Sequence, residues 1–143
     1  MALIEFQNDS APYLSAENLN NNFTECYNIV DSGSNANGSY IKYSDGTMMC
    51  YKEVTGTVDI STAWGSLYAS SDVSLGTWPE NFYAKPVVNA YGQAPSGTQY
   101  MLCTNATSDS TSTTNAGKVT LIRPNSRTGV AYTIYVTAIG KWK

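Results

Sequence analysis

The sequence predicts a mostly β protein: an antiparallel β-sandwich preceded by one short N-terminal α-helix. Three observations carry that expectation. Charged residues are only 13% of the chain, and its polarity comes instead from Ser, Thr, Asn and Gly, the residues of turns and strand surfaces. Eleven tyrosines, three tryptophans and three phenylalanines supply large rigid groups for a core. Alternating runs punctuated by turn residues recur from Ser39 to Ile139, a spacing that fits a sandwich or barrel.

The helix is expected over Ser15–Val30. Ser15 can cap its N-terminus, and Glu17 places an anion in the first turn, where the helix dipole favours one. Asp31-Ser32-Gly33-Ser34 would end it, and Ser34 to Gly38 would form a linker. Ala16, Leu19, Phe23, Cys26 and Val30 follow the 3,4 spacing of a coiled-coil seam. A helix this short and this rich in Asn needs something to pack on. Spacing alone leaves open whether that is a parallel bundle of copies or the helix's own domain. Residues 1–32 therefore form one unit and residues 33–143 a second, the β domain.

Within that second unit, Ser39–Tyr43 and Thr47–Val54 flank Asp45-Gly46, a strong hairpin signal. Further strands are expected at Thr57–Ile60, Lys85–Tyr91, Gln99–Thr104, Lys118–Ile122 and Ala131–Ile139. The tract from Thr104 to Gly117 is almost entirely small and polar and reads mostly as an exposed loop.

Composition also excludes several functions. At 143 residues and a net charge of −3, with Lys and Arg scattered singly, there is no basic run to engage nucleic acid. No apolar stretch approaches the ~20 residues of a membrane-spanning helix. The opening Met-Ala-Leu-Ile-Glu-Phe lacks the basic and apolar regions of a secretory leader. Cys26, Cys50 and Cys103 are too few and too widely spaced for a disulfide framework or a metal site, and read as reduced, buried side chains. No metal or other cofactor is expected. Histidine is absent, which removes the usual general base and any Ser-His-Asp or Cys-His arrangement. Glu53 and Asp59 could supply the two carboxylates of a glycosidase, but strand-edge charge is the simpler reading. No catalytic residues are assigned, and the chain is expected not to be an enzyme.

The segment from Gly33 to Cys50, with Asn37-Gly38-Ser39-Tyr40-Ile41-Lys42-Tyr43-Ser44-Asp45-Gly46-Thr47-Met48 at its centre, resembles the hairpin that opens the C-terminal knob of phage tail-fibre proteins. Trp78-Pro79 with Phe82 and Pro86 is similar to that family's W-P-x-x-F-x-x-x-P stretch, and Ala138-Ile139-Gly140-Lys141-Trp142 to its closing motif. Ala11-Pro12-Tyr13-Leu14 and Leu19-Asn20-Asn21-Asn22-Phe23 resemble the attachment region of small fibre or baseplate proteins. The resemblance implies a β-sandwich knob at the end of a homotrimeric virion fibre, made in the cytoplasm of a bacterial host. Such knobs recognise cell-surface glycans or wall polymers. It also favours the bundle, with Leu19, Phe23, Cys26 and Val30 on the threefold axis, and residues 1–32 contacting other virion proteins.

Glycan sites pair an aromatic face, which stacks on sugar C–H groups, with polar groups that bind the hydroxyls. The candidate ligand-binding residues are Tyr91, Gln93 and Tyr100 around the Gly92–Thr98 loop, with Asn105 and Asp109 in the polar tract. Half-buried strand packing is the competing reading for the tyrosines. Trp64, Trp78, Phe82 and Trp142 are assigned to core or subunit interface, and Arg123 to an ion pair with an acidic neighbour. A structural or head-decoration fibre that caps a trimer without binding a receptor is the alternative function.

Overall fold

The computed structural model describes residues 28–95, 99–104 and 111–143. Among them are nine strands: β1 Ile29–Asn35, β2 Gly38–Tyr43, β3 Thr47–Trp64, β4 Leu67–Ser70, β5 Val73–Ser74, β6 Val87–Gln93, β7 Met101–Thr104, β8 Lys118–Arg123 and β9 Arg127–Lys141. Every pairing between them is antiparallel.

Two long strands organise the molecule. β3 and β9 run side by side from Thr47 opposite Lys141 to Ile60 opposite Arg127. The other edge of β3 takes β2 near its start and β4 near its end, while the free edge of β9 takes β6. β4 passes the ladder on to β8, which also carries β5 and β7.

Alternation decides what is buried, because successive strand residues face opposite sides. From β3 the inward set includes Met48, Cys50 and Ile60; from β9 it is Val130, Ile134, Val136 and Ala138; from β8 it includes Val119 and Leu121. Leu75, Trp78 and Phe82 from the β5–β6 connection complete one core. Each large apolar side chain sealed there contributes about 1.5–3 kcal/mol.

The structure corrects several expectations. The described residues contain no α-helix. Residues 15–27 of the expected helix lie outside the described part, but Ile29 and Val30 open β1 rather than closing a helical turn. Asp31–Ser34, expected as a helix stop, and the linker after it are strand and turn, so the sheet begins four residues before the boundary placed at 33. Pairing with β2 accounts for this: its backbone satisfies that of a segment with poor strand propensity of its own. The strands form one antiparallel hydrogen-bonded network joined through β3.

The polar tract is tied down at its C-terminal end. Residues 105–110 lie outside the described part; Thr114 and Asn115 are exposed, as a loop would be, but the backbone from Ser112 to Ala116 is held against the Trp78–Phe82 segment. Trp78 N–H donates to Thr114 O and Phe82 N–H to Thr113 O, at 2.9 and 3.0 Å. Trp78 Nε1 donates to Ser112 O at 3.2 Å, and Ala116 is buried. Small polar residues supply backbone partners here rather than apolar surface.

Candidate functional site

The outward face of β2, β3, β9 and β6 carries chemistry ordered in rows. Ile41, Met49, Ile139 and Val87 align across four strands in register. Met49, Ile139 and Val87 are 36%, 50% and 79% exposed. The next row is Ser39, Tyr51, Thr137 and Asn89; then come Glu53, Tyr135 and Tyr91, and after them Thr55, Thr133 and Gln93. Along the strands the face thus passes from apolar through aromatic to polar.

The two middle rows hold an open cleft of about 480 Å³, lined by Gly38, Ser39, Tyr51, Glu53, Tyr91, Tyr135 and Thr137, with Lys52 and Val136 contributing at its margin. Its aromatic side is preorganised. Tyr91 and Tyr135 are opposed across β6 and β9 and stack with centroids 5.1 Å apart and planes at 26°, an offset arrangement that holds both rings in place. Its other wall depends on Gly38. With φ at +123°, Gly38 lets the β1–β2 turn settle against β3, where a Cβ would lie 2.6 Å from Tyr51 O.

Glu53 supplies negative charge to the cleft, and Ser39 and Thr137 supply hydroxyls. Lys52 is directed elsewhere: its ammonium donates to Thr77 O at 2.8 Å, and burial pulls its pKa down. The result is a concave, neutral-to-acidic surface with three phenol rings. Ring faces can stack on a sugar's C–H surface while the carboxylate and hydroxyls bind its hydroxyl groups.

Of the candidate ligand-binding residues, the structure brings Tyr91 into this cleft and places Gln93 one row beyond it on the same face. Tyr100 is elsewhere. Its ring packs against the core, its hydroxyl donates to Gln93 O at 2.8 Å, and burial raises its pKa. Asn105 and Asp109 lie outside the described residues. Sequence reasoning missed Tyr51 and Tyr135 as residues of this cleft. Their positions on alternate residues of predicted strands were visible, but not the register that sets Tyr135 between Glu53 and Tyr91.

Other assignments separate similarly. Trp78 and Phe82 are buried at 3% and 4%, and Trp142 packs partly buried against the core. Trp64 belongs to no core: it is 57% exposed. Among the described residues Arg123 makes no ion pair with the acidic neighbour expected for it; its Nε and Nη1 are buried without a hydrogen-bond partner. Of the seam residues, Leu19, Phe23 and Cys26 lie outside the described part, and Val30 sits half-exposed in β1. Glu53 and Asp59 are six positions apart on β3, roughly 20 Å along an extended strand, well beyond the ~5–9.5 Å of glycosidase carboxylate pairs. Asp59 Oδ1 instead accepts the Gly129 N–H at 2.7 Å.

No protein-family model and no curated protein matches the sequence. Solved structures do match the fold. An N-truncated R1-type pyocin tail fibre superposes with a TM-score of 0.53 at 17% identity, covering 91% of this chain and 99% of that one. A P. aeruginosa R1 pyocin fibre fragment, comprising its C-terminal residues 323–701, gives 0.51 at 17% identity. The match covers 89% of this chain and 32% of that longer fragment. The chain is similar to both in fold.

Proposed function

We propose that this protein is a phage virion tail-fibre component that works as a homotrimeric adhesin, its β domain forming a sandwich-like knob that binds host cell-surface glycan or wall polymer. The observation that carries the reading is the cleft in which Tyr51, Tyr91 and Tyr135 converge with Glu53. The likeness of fold to the pyocin tail fibre supports the fibre role. The segment that precedes β1 joins the knob to other virion proteins, and synthesis takes place in the host cytoplasm. No catalytic step is assigned.

Trimer formation is supported by the row of Ile41, Met49, Ile139 and Val87, a neutral apolar band on an otherwise polar face. Contact between copies would cover it and bring three clefts onto one rigid head. Such multivalency can exceed single-site affinity by ~10²–10⁴.

The test is binding of the purified full chain to an array of bacterial surface polysaccharides, alongside its mass by light scattering. Wild-type protein should bind at least one glycan, and Tyr91→Ala and Tyr135→Ala should each weaken that binding about tenfold or more with the fold intact. Failure to bind any glycan, with the trimer intact, would overturn the adhesin reading and leave a fibre that caps the trimer. A monomer at all concentrations would overturn the trimer.

A further inference from the structure

The tip of the β3–β4 hairpin poses a separate question. Trp64 and Leu67 close that hairpin around Gly65-Ser66. At Gly65 the tip has open space among the described residues, since a Cβ built there would meet nothing within 4 Å. More than half of the Trp64 surface is open to solvent, an arrangement that core packing does not explain.

Trp64 borders a hollow of about 340 Å³ shared with Thr62, Ala63, Ala69, Asp72 and Thr120. Thr62 lies opposite Ala69, and Ala69 opposite Ile122, so three adjacent strands build its base. Ala69 keeps that base low, leaving the indole as a wall. Polar groups are supplied by Thr62 and by the Asp72–Thr120 pair, where Thr120 Oγ1 donates to Asp72 Oδ1 at 3.4 Å. Asp72 Oδ2 stands 3.7 Å from Lys118 Nζ, and about half of the Asp72 side chain is open to solvent. From there a carboxylate can accept from the hydroxyl of a sugar.

We infer that this hollow is a second carbohydrate subsite, which takes one neutral pyranose unit with its C–H face against Trp64 and its hydroxyls on Asp72 and Thr62. An indole face combined with an adjacent carboxylate suits a ring that is apolar on one side and rich in O–H donors at its edge. The same carboxylate disfavours an acidic sugar at that position. The size falls at the lower end of the ~300–1,000 Å³ range for ligand pockets, appropriate to a small ring rather than a helix or a strand. The subsite stands on its own residues and does not depend on the tyrosine cleft: Trp64 lies eleven positions beyond Glu53 on β3, up to roughly 36 Å away along the strand.

The experiment uses the full chain and a panel of neutral methyl pyranosides, with methyl glucuronide as the acidic control. Binding is read by saturation-transfer NMR and by protection of tryptophan emission from acrylamide. Trp78 and Trp142 are sheltered, so collisional quenching reports mainly on Trp64. At least one neutral pyranoside should protect the emission, and Trp64→Ala should abolish its NMR transfer signal in protein whose cleft is disabled by Tyr91→Ala and Tyr135→Ala. Trp64→Phe should keep the signal, while Asp72→Asn should weaken affinity about tenfold. Tyr91→Ala should leave the protection of Trp64 emission unchanged, which separates failure here from failure of the cleft. The inference is overturned if no neutral pyranoside protects the emission, if Trp64→Ala binds like wild type, or if Trp64→Ala lowers the mass by light scattering without changing sugar binding. That last result would make the tryptophan a contact between copies.

Discussion

The Lys42 ammonium sits 5.4 Å from the centroid of the Trp142 ring, joining the hairpin near the start of the described chain to its final turn. The same ammonium is 5.2 Å from the Tyr40 ring and lies 3.4 and 3.5 Å from Asp31 and Glu80. Trp142 Nε1 donates to Tyr43 O at 3.0 Å, and Asn35 Nδ2 donates to Pro79 O at 2.8 Å. The three stretches that carry the resemblance to fibre knobs therefore close on one another. Their shared residues build a junction of the fold.

Lys42→Met should destabilise the protein by about 1–2 kcal/mol, since it removes the cation from two carboxylates and two rings. Burial disfavours the Lys42 charge, but Glu80 and Asp31 more than offset that and raise its pKa. A raised folded pKa means that the contribution is fully present below the unfolded lysine value, near 10.4, and is lost as pH rises through the folded value. Urea midpoints measured from pH 8 to 11 should fall for wild type and fall less for the variant. Parallel curves would rule this out.

Gly140→Ala should cost about 1–3 kcal/mol through overpacking. A Cβ there would lie 2.8 Å from Phe82 Cδ1 and 3.0 Å from Pro86 Cβ, and Phe82 is too deeply buried to swing aside. Thermal unfolding should show a lower Tm, partly restored by pairing Gly140→Ala with Phe82→Leu.

Arg123→Met should raise stability by about 1–3 kcal/mol. Two of the guanidinium nitrogens are buried without a hydrogen-bond partner, and replacing a buried, unsatisfied polar group by an apolar one of similar length removes a desolvation cost. An unchanged or lower urea midpoint would contradict this.

Cys50 should resist alkylation in the native state. Burial pushes its thiol up to about 11, and the side chain is 1% exposed, so thiolate and access are both lacking at pH 8. Peptide-resolved mass spectrometry after iodoacetamide treatment should show Cys50 modified only when the protein is unfolded in urea.

Much of the strand content was legible from local chemistry. Asp45-Gly46 marked the β2–β3 hairpin, and Asp45 duly ties the turn by accepting the Thr47 N–H at 2.8 Å. The strands around Val88, Val119 and Ile134 showed as β-branched runs. β1 did not, because Ile29–Asn35 has little propensity of its own and is held by β2, by the Asp31–Lys42 pair and by Asn35 on Pro79. The core role of Ser112 to Ala116 was hidden for a related reason: it rests on backbone carbonyls and N–H groups, which every residue type carries.

By itself, the sequence determined that the chain is mostly β and where its main turns fall. Those properties follow from residues close together along the chain, through turn chemistry and the two-residue strand period. Only the tertiary structure decided that Tyr51, Tyr135 and Tyr91 share one cleft with Glu53, and that Trp64 stands in solvent beside Asp72. Alternation says which side chains share a face of one strand. Which strand lies beside it, and in what register, is settled by the packing of the whole sheet.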